Sequence, residues 1–164
     1  MAGLSTELGL EEAGSPVVVV NRQRRFFIDV PALRAFAERA LLEVTTLPAA
    51  AALPQEITIV LVTDRRMRKI HLDFMGLASS TDVITFQHGD VVLSVETAQR
   101  QAKRYRSSLA WEVRLYVVHG LLHLCGYDDR TPARREEMDC LQEALLDRLL
   151  RKDGSASGKG IPGP

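Results

Sequence analysis

At 164 residues, with 46% hydrophobic and 26% charged side chains, the chain fits one soluble globular domain whose core needs no staples. Lys+Arg and Asp+Glu balance at 21 each, so bulk charge calls for neither a nucleic-acid nor a membrane partner, and any pull on polyanions must come from local patches. Two cysteines, Cys125 and Cys140, make no disulfide framework and suit a reducing cytoplasm; the N-terminus lacks the basic and apolar segments of a signal peptide, and the longest apolar run, Leu115–Cys125, is too short to span a bilayer.

Residues 1–15 read as a flexible leader and 152–164 as a flexible Gly/Ser/Pro tail, leaving 16–151 as the domain. Pro16–Val20 is a β-branched run expected to be a buried strand. The segment Asn21–Asp29, with Arg22, Arg24 and Arg25, reads as a solvated connection, with contact to RNA phosphates as the alternative for these arginines and for the basic stretches of the later helices. Pro31 opens a helix at its first position, with Asp29 or Val30 just before it. Leu33, Phe36, Ala37, Ala40, Leu41 and Val44 form its apolar face. After the Pro/Ala-rich connection Thr46–Leu53, Glu56–Thr63 is a strong strand. Asp64 is the expected N-cap of a helix through Phe74, with Arg65, Arg66, Arg68 and Lys69 outside and Met67, Ile70, His71 and Phe74 inside.

Gly76–Ser80 is a loop, and Asp82–His88 and Asp90–Ser94 read as two strands joined at Gly89. Ser94 caps a helix to about Tyr105, whose exposed side carries Arg100, Lys103 and Arg104, with Arg106 just beyond. A further helix covers Leu109–Leu124, amphipathic at first (Trp111, Glu112, Arg114) and then apolar all round. Gly126 suits the left-handed residue that ends it. Thr131 and Pro132 supply cap and first position of a last helix with Met138, Leu141, Leu145 and Leu149 inward. The sum is a single α+β (α/β) domain: a small mixed sheet of about four strands flanked by about five helices, its buried central helix carrying two histidines.

Those two, His119 and His123, stand at i and i+4 on one helix face, about 6 Å apart, and neutral imidazole is the commonest zinc ligand. The alternative is a buried helix end that happens to contain two histidines. A catalytic zinc takes three protein ligands and leaves a fourth position for water, whose pKa falls toward about 7. Gly126 lets the chain turn back, which brings both Asp128 and Asp129 within reach as oxygen ligands. The negative end of the helix dipole favours a cation there. The position after His119 is Gly120, where zinc peptidases of the H-E-x-x-H type carry their glutamate base. No general base is legible beyond water on the metal. His71 and His88 are left out of the site, Cys125 reads as a small core residue, and Trp111 and Tyr105 read as packing residues.

The string His119–Asp129, HGLLHLCGYDD, resembles the signature H-G-x-L-H-L-x-G-Y-D-H of the YbeY family of metal-dependent single-strand endoribonucleases. Thr81–Phe86 (TDVITF) is similar to the family's T-D/N-V-L/I-S/T-F strand, Gly89–Ser94 (GDVVLS) to the segment that follows it, and Glu136, Glu137, Met138 and Leu141 to the start of its last helix. The resemblance covers most of residues 16–150. It implies a small mixed sheet with flanking helices around one zinc ion. It also implies cytoplasmic 16S rRNA 3′-end maturation and ribosome quality control, with single-stranded rRNA and the ribosome or its proteins as partners.

Two positions depart from the family's pattern. Its third ligand is histidine, where this chain has Asp129. An anionic oxygen donor is expected to raise the pKa of the bound water and to widen tolerance toward manganese-like metals. The family's arginine before a glycine, expected to hold an RNA phosphate, is matched by Met75 before Gly76. Arg68, two helical turns earlier, is the candidate substitute in substrate binding. A non-catalytic metal-stabilised ribosome- or RNA-associated protein is the competing reading these departures keep open. A zinc peptidase-like hydrolase is the other, disfavoured by Gly120.

Overall fold

The computed structural model describes residues 15–50, 53–79 and 81–154. The expected leader, apart from Ser15, and most of the expected tail lie outside them. Alternation of β-branched residues makes the strands β1 (Val17–Asn21), β2 (Ile57–Val62), β3 (Val83–Phe86) and β4 (Asp90–Ser94). They form one mixed sheet in the order β1-β2-β4-β3, parallel from β1 through β2 to β4 and antiparallel between β4 and β3. Five helices accompany it among the described residues: α1 (Val30–Val44), α2 (Asp64–Met75), α3 (Val95–Tyr105), α4 (Leu109–Leu124) and α5 (Pro132–Lys152). The expected α+β architecture is the observed one.

The sheet separates two cores. Val17, Ile57, Ile59, Leu61, Val91 and Leu93 point to the side where α1, α4 and α5 pack, and this is the main core. The opposite residues Val62, Ile84 and Val92 meet Met67 of α2 in a smaller cluster with Val60, Ile70 and Phe86 at its margin. Every residue of the expected α1 face is buried.

Helix starts follow side-chain oxygens. Asp29, Thr63, Ser94, Ser108 and Thr131 each accept a hydrogen bond from a backbone N–H of the first turn. Thr63, not Asp64, is therefore the cap of α2. Asp64 is its first residue, and its carboxylate turns to α3, accepting from Thr97 Oγ1 at 2.8 Å, Ser94 Oγ at 2.5 Å and Arg100 Nη1 at 2.5 Å. Burial pushes that carboxyl upward, but these three donors outweigh it and hold its pKa below the ordinary aspartate value.

Several other expectations are corrected. Pro31 is the second residue of α1, not the first, because Asp29 caps one position earlier. The β3 strand ends at Phe86 rather than His88, since the turn to β4 takes Gln87–Gly89. Phe74 is 69% exposed rather than buried inward, since its ring meets Phe86 at the end of β3 only by an edge, at 5.1 Å. Glu112 is buried rather than on an outer face, and Ser107 Oγ donates to it at 2.5 Å. The segment after β1 is the solvated connection expected, with Arg22, Arg24 and Arg25 exposed, but it is held in shape by buried Gln23, which donates to Phe26 O at 2.8 Å and accepts from the backbone N–H groups of Arg25 and Phe26 at 2.9 Å.

Helix α4 lies unusually close to the sheet. A Cβ built on Gly120 would stand 2.4 Å from Val91 Cγ1, so a hydrogen is all that fits. Val91 is β-branched and buried, hence unable to swing away. Overpacking costs about 1–3 kcal/mol, whereas alanine returns about 1 kcal/mol of helix propensity. Gly120→Ala is expected to lower stability by about 1 kcal/mol in urea unfolding. In a Val91→Ala background the same change should be neutral or stabilising. Equal effects in both backgrounds would refute the contact as the cause.

Candidate metal centre

Positions 119 and 123 fall on the side of α4 turned from the sheet toward α5, and both rings are half-buried. Their centroids are 4.5 Å apart with an interplanar angle of 82°, and the two Nε2 atoms approach to 2.9 Å. Each ring is held from behind. His119 Nδ1 meets Gln142 Oε1 of α5 at 2.9 Å, and His123 Nδ1 meets the carbonyl oxygen of Tyr127 at 3.0 Å.

Those partners decide the tautomers. A backbone carbonyl only accepts, so His123 carries its proton on Nδ1, and Gln142 Oε1 imposes the same on His119. Both Nε2 atoms then present lone pairs to one another, which repel unless a proton or a cation lies between them. Burial, and next the neighbouring His119, push the His123 pKa below the ordinary value. The ring is thus neutral, and ready to donate a lone pair, at neutral pH.

The third donor comes from the turn after α4. Gly126 adopts φ 99°, where side chains are strained. Its N–H donates to His123 O at 2.9 Å, and that of Tyr127 to Leu122 O at 3.1 Å. This reversal carries Asp129 back until one oxygen of its carboxylate and one nitrogen of each histidine all lie within 4.8 Å of one another. Asp128 is engaged elsewhere: it accepts from Arg130 N at 3.0 Å and from Arg134 Nη1 at 2.6 Å. The backbone donation from Arg130 and then the Arg134 contact hold its carboxyl below the usual range. Two imidazoles and one carboxylate, held at the negative end of a helix, are a donor set that suits a divalent cation.

The other sequence candidates fall outside this cluster. Arg68 is exposed on α2, and Met75 is 49% exposed at the end of that helix. His71 is buried with Nδ1 2.7 Å from Ser79 O, and His88 pairs with Asp90 at 2.9 Å. Cys125 is a buried core residue whose thiol burial pushes up to about 11. Trp111 packs at the margin of the core, and Tyr105 is 61% exposed beneath Arg104, 5.6 Å from its ring. Gln142 escaped the sequence reading. Its one signal is a polar residue next to Leu141 on the helix that must face α4.

Comparison with known proteins gives the family of the chain. A family model described as Endoribonuclease YbeY matches residues 18–150. A curated protein of that name from an Anaeromyxobacter species is 38% identical over 117 residues, which is 62% of this chain and 61% of that protein's length. The one from Caldanaerobacter subterraneus is 31% identical over 81% of this chain and 96% of its own length, and that from Mycolicibacterium smegmatis 31% identical over 81% and 83%. The solution structure of TM1509 from Thermotoga maritima superposes with a TM-score of 0.61 at 19% identity, covering 90% of this chain and 99% of that one, which is a likeness of fold. The chain belongs to the YbeY endoribonuclease family.

Proposed function

We propose that this chain is a metal-dependent endoribonuclease acting on single-stranded RNA, with His119, His123 and Asp129 holding one zinc ion. The reading extends to rRNA processing, namely 16S rRNA 3′-end maturation and ribosome quality control in the cytoplasm, with the ribosome as partner. The observation that supports it best is that His119, His123 and Asp129 bring one ligand atom each within 4.8 Å of one another, the two histidine Nε2 atoms facing at 2.9 Å. The relatives' name supplies the reaction.

When bound, the ion supplies Lewis-acid stabilisation of a phosphoryl oxygen and acidifies a water. The chain's own residues do the positioning. Gln142 and the Tyr127 carbonyl fix the tautomer and tilt of each histidine, and Asp129 sets the charge of the site. A peptidase reading lacks its base: Gly120 stands where the glutamate would be, packed on Val91. A non-catalytic, metal-stabilised RNA-associated protein is the second reading, favoured by the uncharged Met75 at the position of the family's arginine.

Wild-type protein purified without added zinc should contain about one divalent ion per chain and cleave single-stranded RNA but not casein. His119→Ala should lose both metal and cleavage while keeping its fold. Metal without cleavage in the wild type would establish the second reading; a folded, metal-free wild type would sink both. Gln142→Ala, which removes no ligand, should weaken metal affinity about 10-fold or more in chelator competition, and Gln142→Glu should largely restore it. Asp129→His should shift preference from manganese toward zinc and move the acid limb of the cleavage profile to lower pH. An unchanged metal preference and pH profile would rule Asp129 out as a donor.

A further inference from the structure

The main core leaves the other face of the sheet only partly covered. There α2 shields Val62 and Ile84, while Val18 on β1 remains 51% exposed and Phe74, at the far end of α2, 69% exposed. Two adjoining depressions mark this face. One, of about 530 Å³, is walled by Arg22, Thr63, Arg65, Arg66 and Lys69. The other, of about 310 Å³, shares Arg22 and Arg66 and continues over Val60 and Val92 to Phe74, Phe86 and His88. The shared arginines make them one surface, cationic at one end and aromatic at the other.

The charges here are available. Among the described residues Arg22, Arg65 and Arg66 form no ion pair, and Lys69 pairs only with its exposed neighbour Asp73, at 2.8 Å. By contrast Arg25 and Arg100, from the other basic stretches, are committed to Glu96 and Asp64. The aromatic end is ordered. Phe74 and Phe86 meet edge to face at 5.1 Å, and the His88 ring stacks on Phe86 at 5.7 Å and 26°. Among the described residues that line the two depressions the one acid is Asp90, which is paired with His88.

We propose that this face binds single-stranded RNA as an accessory surface, phosphates lying on Arg22, Arg65 and Arg66 and unpaired bases stacking on Phe74 and His88. Charge complementarity picks a polyanion. The neighbouring flat, exposed rings pick one with unstacked bases, because a duplex buries its base faces and a strand offers them. The surface lies on the face of the sheet opposite the histidines, since Val91 meets α4 while its neighbour Val92 lines this depression. It therefore holds RNA away from the metal centre rather than forming that centre's wall. The choice of RNA rests on the endoribonuclease reading; binding at this face does not require cleavage.

The test uses a fluorescent, 2′-O-methylated oligouridine of about 12 nucleotides, its length verified on a gel after each titration so that binding is read on uncut probe, and a duplex of the same length. Arg22→Glu with Arg66→Glu should weaken single-strand binding at least about 10-fold and flatten its salt dependence by about 0.7 per lost phosphate contact. Phe74→Ala with His88→Gln should weaken it about 10-fold with the salt slope unchanged, and His88→Tyr should retain it. All these positions are exposed, and circular dichroism checks the fold. Wild-type affinity in both pairs, or loss in the arginine pair alone, overturns the proposal. So does equal weakening of duplex and single strand in the aromatic pair. Loss of self-association in the aromatic pair with RNA affinity unmoved would make the face a contact between copies and overturn it as well. A wild type that binds the probe at this face yet cleaves no RNA keeps the surface and sinks the endonuclease reading. One that cleaves RNA while both variant pairs bind normally does the reverse.

Discussion

The contact between Gly120 and Val91 is the constraint from which the rest of this molecule follows. It brings α4 so near to β4 that no Cβ fits between them, and it fixes the rotation of the helix about its axis. Once position 120 faces the sheet, the 3.6-residue period turns 119 and 123 together toward α5. The surrounding residues Val117, Leu121, Leu122 and Leu124 are all at most 1% exposed, so the rotation is locked by close packing rather than by one contact. The mid-helix glycine is thus a packing device. The small residue is dictated by a valine side chain.

From that rotation comes the chemistry of the site. Two imidazoles facing each other at 2.9 Å with their other nitrogens tied to acceptors are an arrangement a protein gains nothing from by folding alone, because the lone pairs repel. The proposed coordination of a cation by both rings would resolve this conflict. The same geometry separates the two acidic residues of the turn. Asp128 is neutralised by Arg134 and spends its carboxylate on the start of α5, while Asp129 is left to the cluster.

Much of the architecture was legible because it rests on local chemistry. Ser94, Thr131 and Pro132 announce helix starts, and the α1 stripe from Leu33 to Val44 is buried as its spacing requires. The i,i+4 pair and the helix-ending Gly126 likewise belong to one local segment. What could not be read depends on distant partners. Asp64 looks like a cap in sequence, but Thr63 precedes it, and α3 with its capping Ser94 supplies three donors for its carboxylate. Glu112 sits on what the pattern makes an outer surface, and only the tertiary fold covers it. Phe74 keeps helical phase with Met67 and Ile70, yet only an edge contact with Phe86 of β3 meets it and it stays 69% exposed. Gln142 is the clearest case: an ordinary helix glutamine acquires meaning only from the ring 23 residues earlier that it steers.

The whole donor set, with both groups that orient it, lies between His119 and Gln142, on two antiparallel helices and the turn joining them. None of it comes from the sheet. Bringing the ends of so short a segment together costs little chain entropy compared with pairing β1 to β2 across the intervening helix. The proposed metal site is consequently one of the most sequence-local features of a fold otherwise built on long-range strand pairing, and it borrows from the sheet only the valine that sets the rotation of α4.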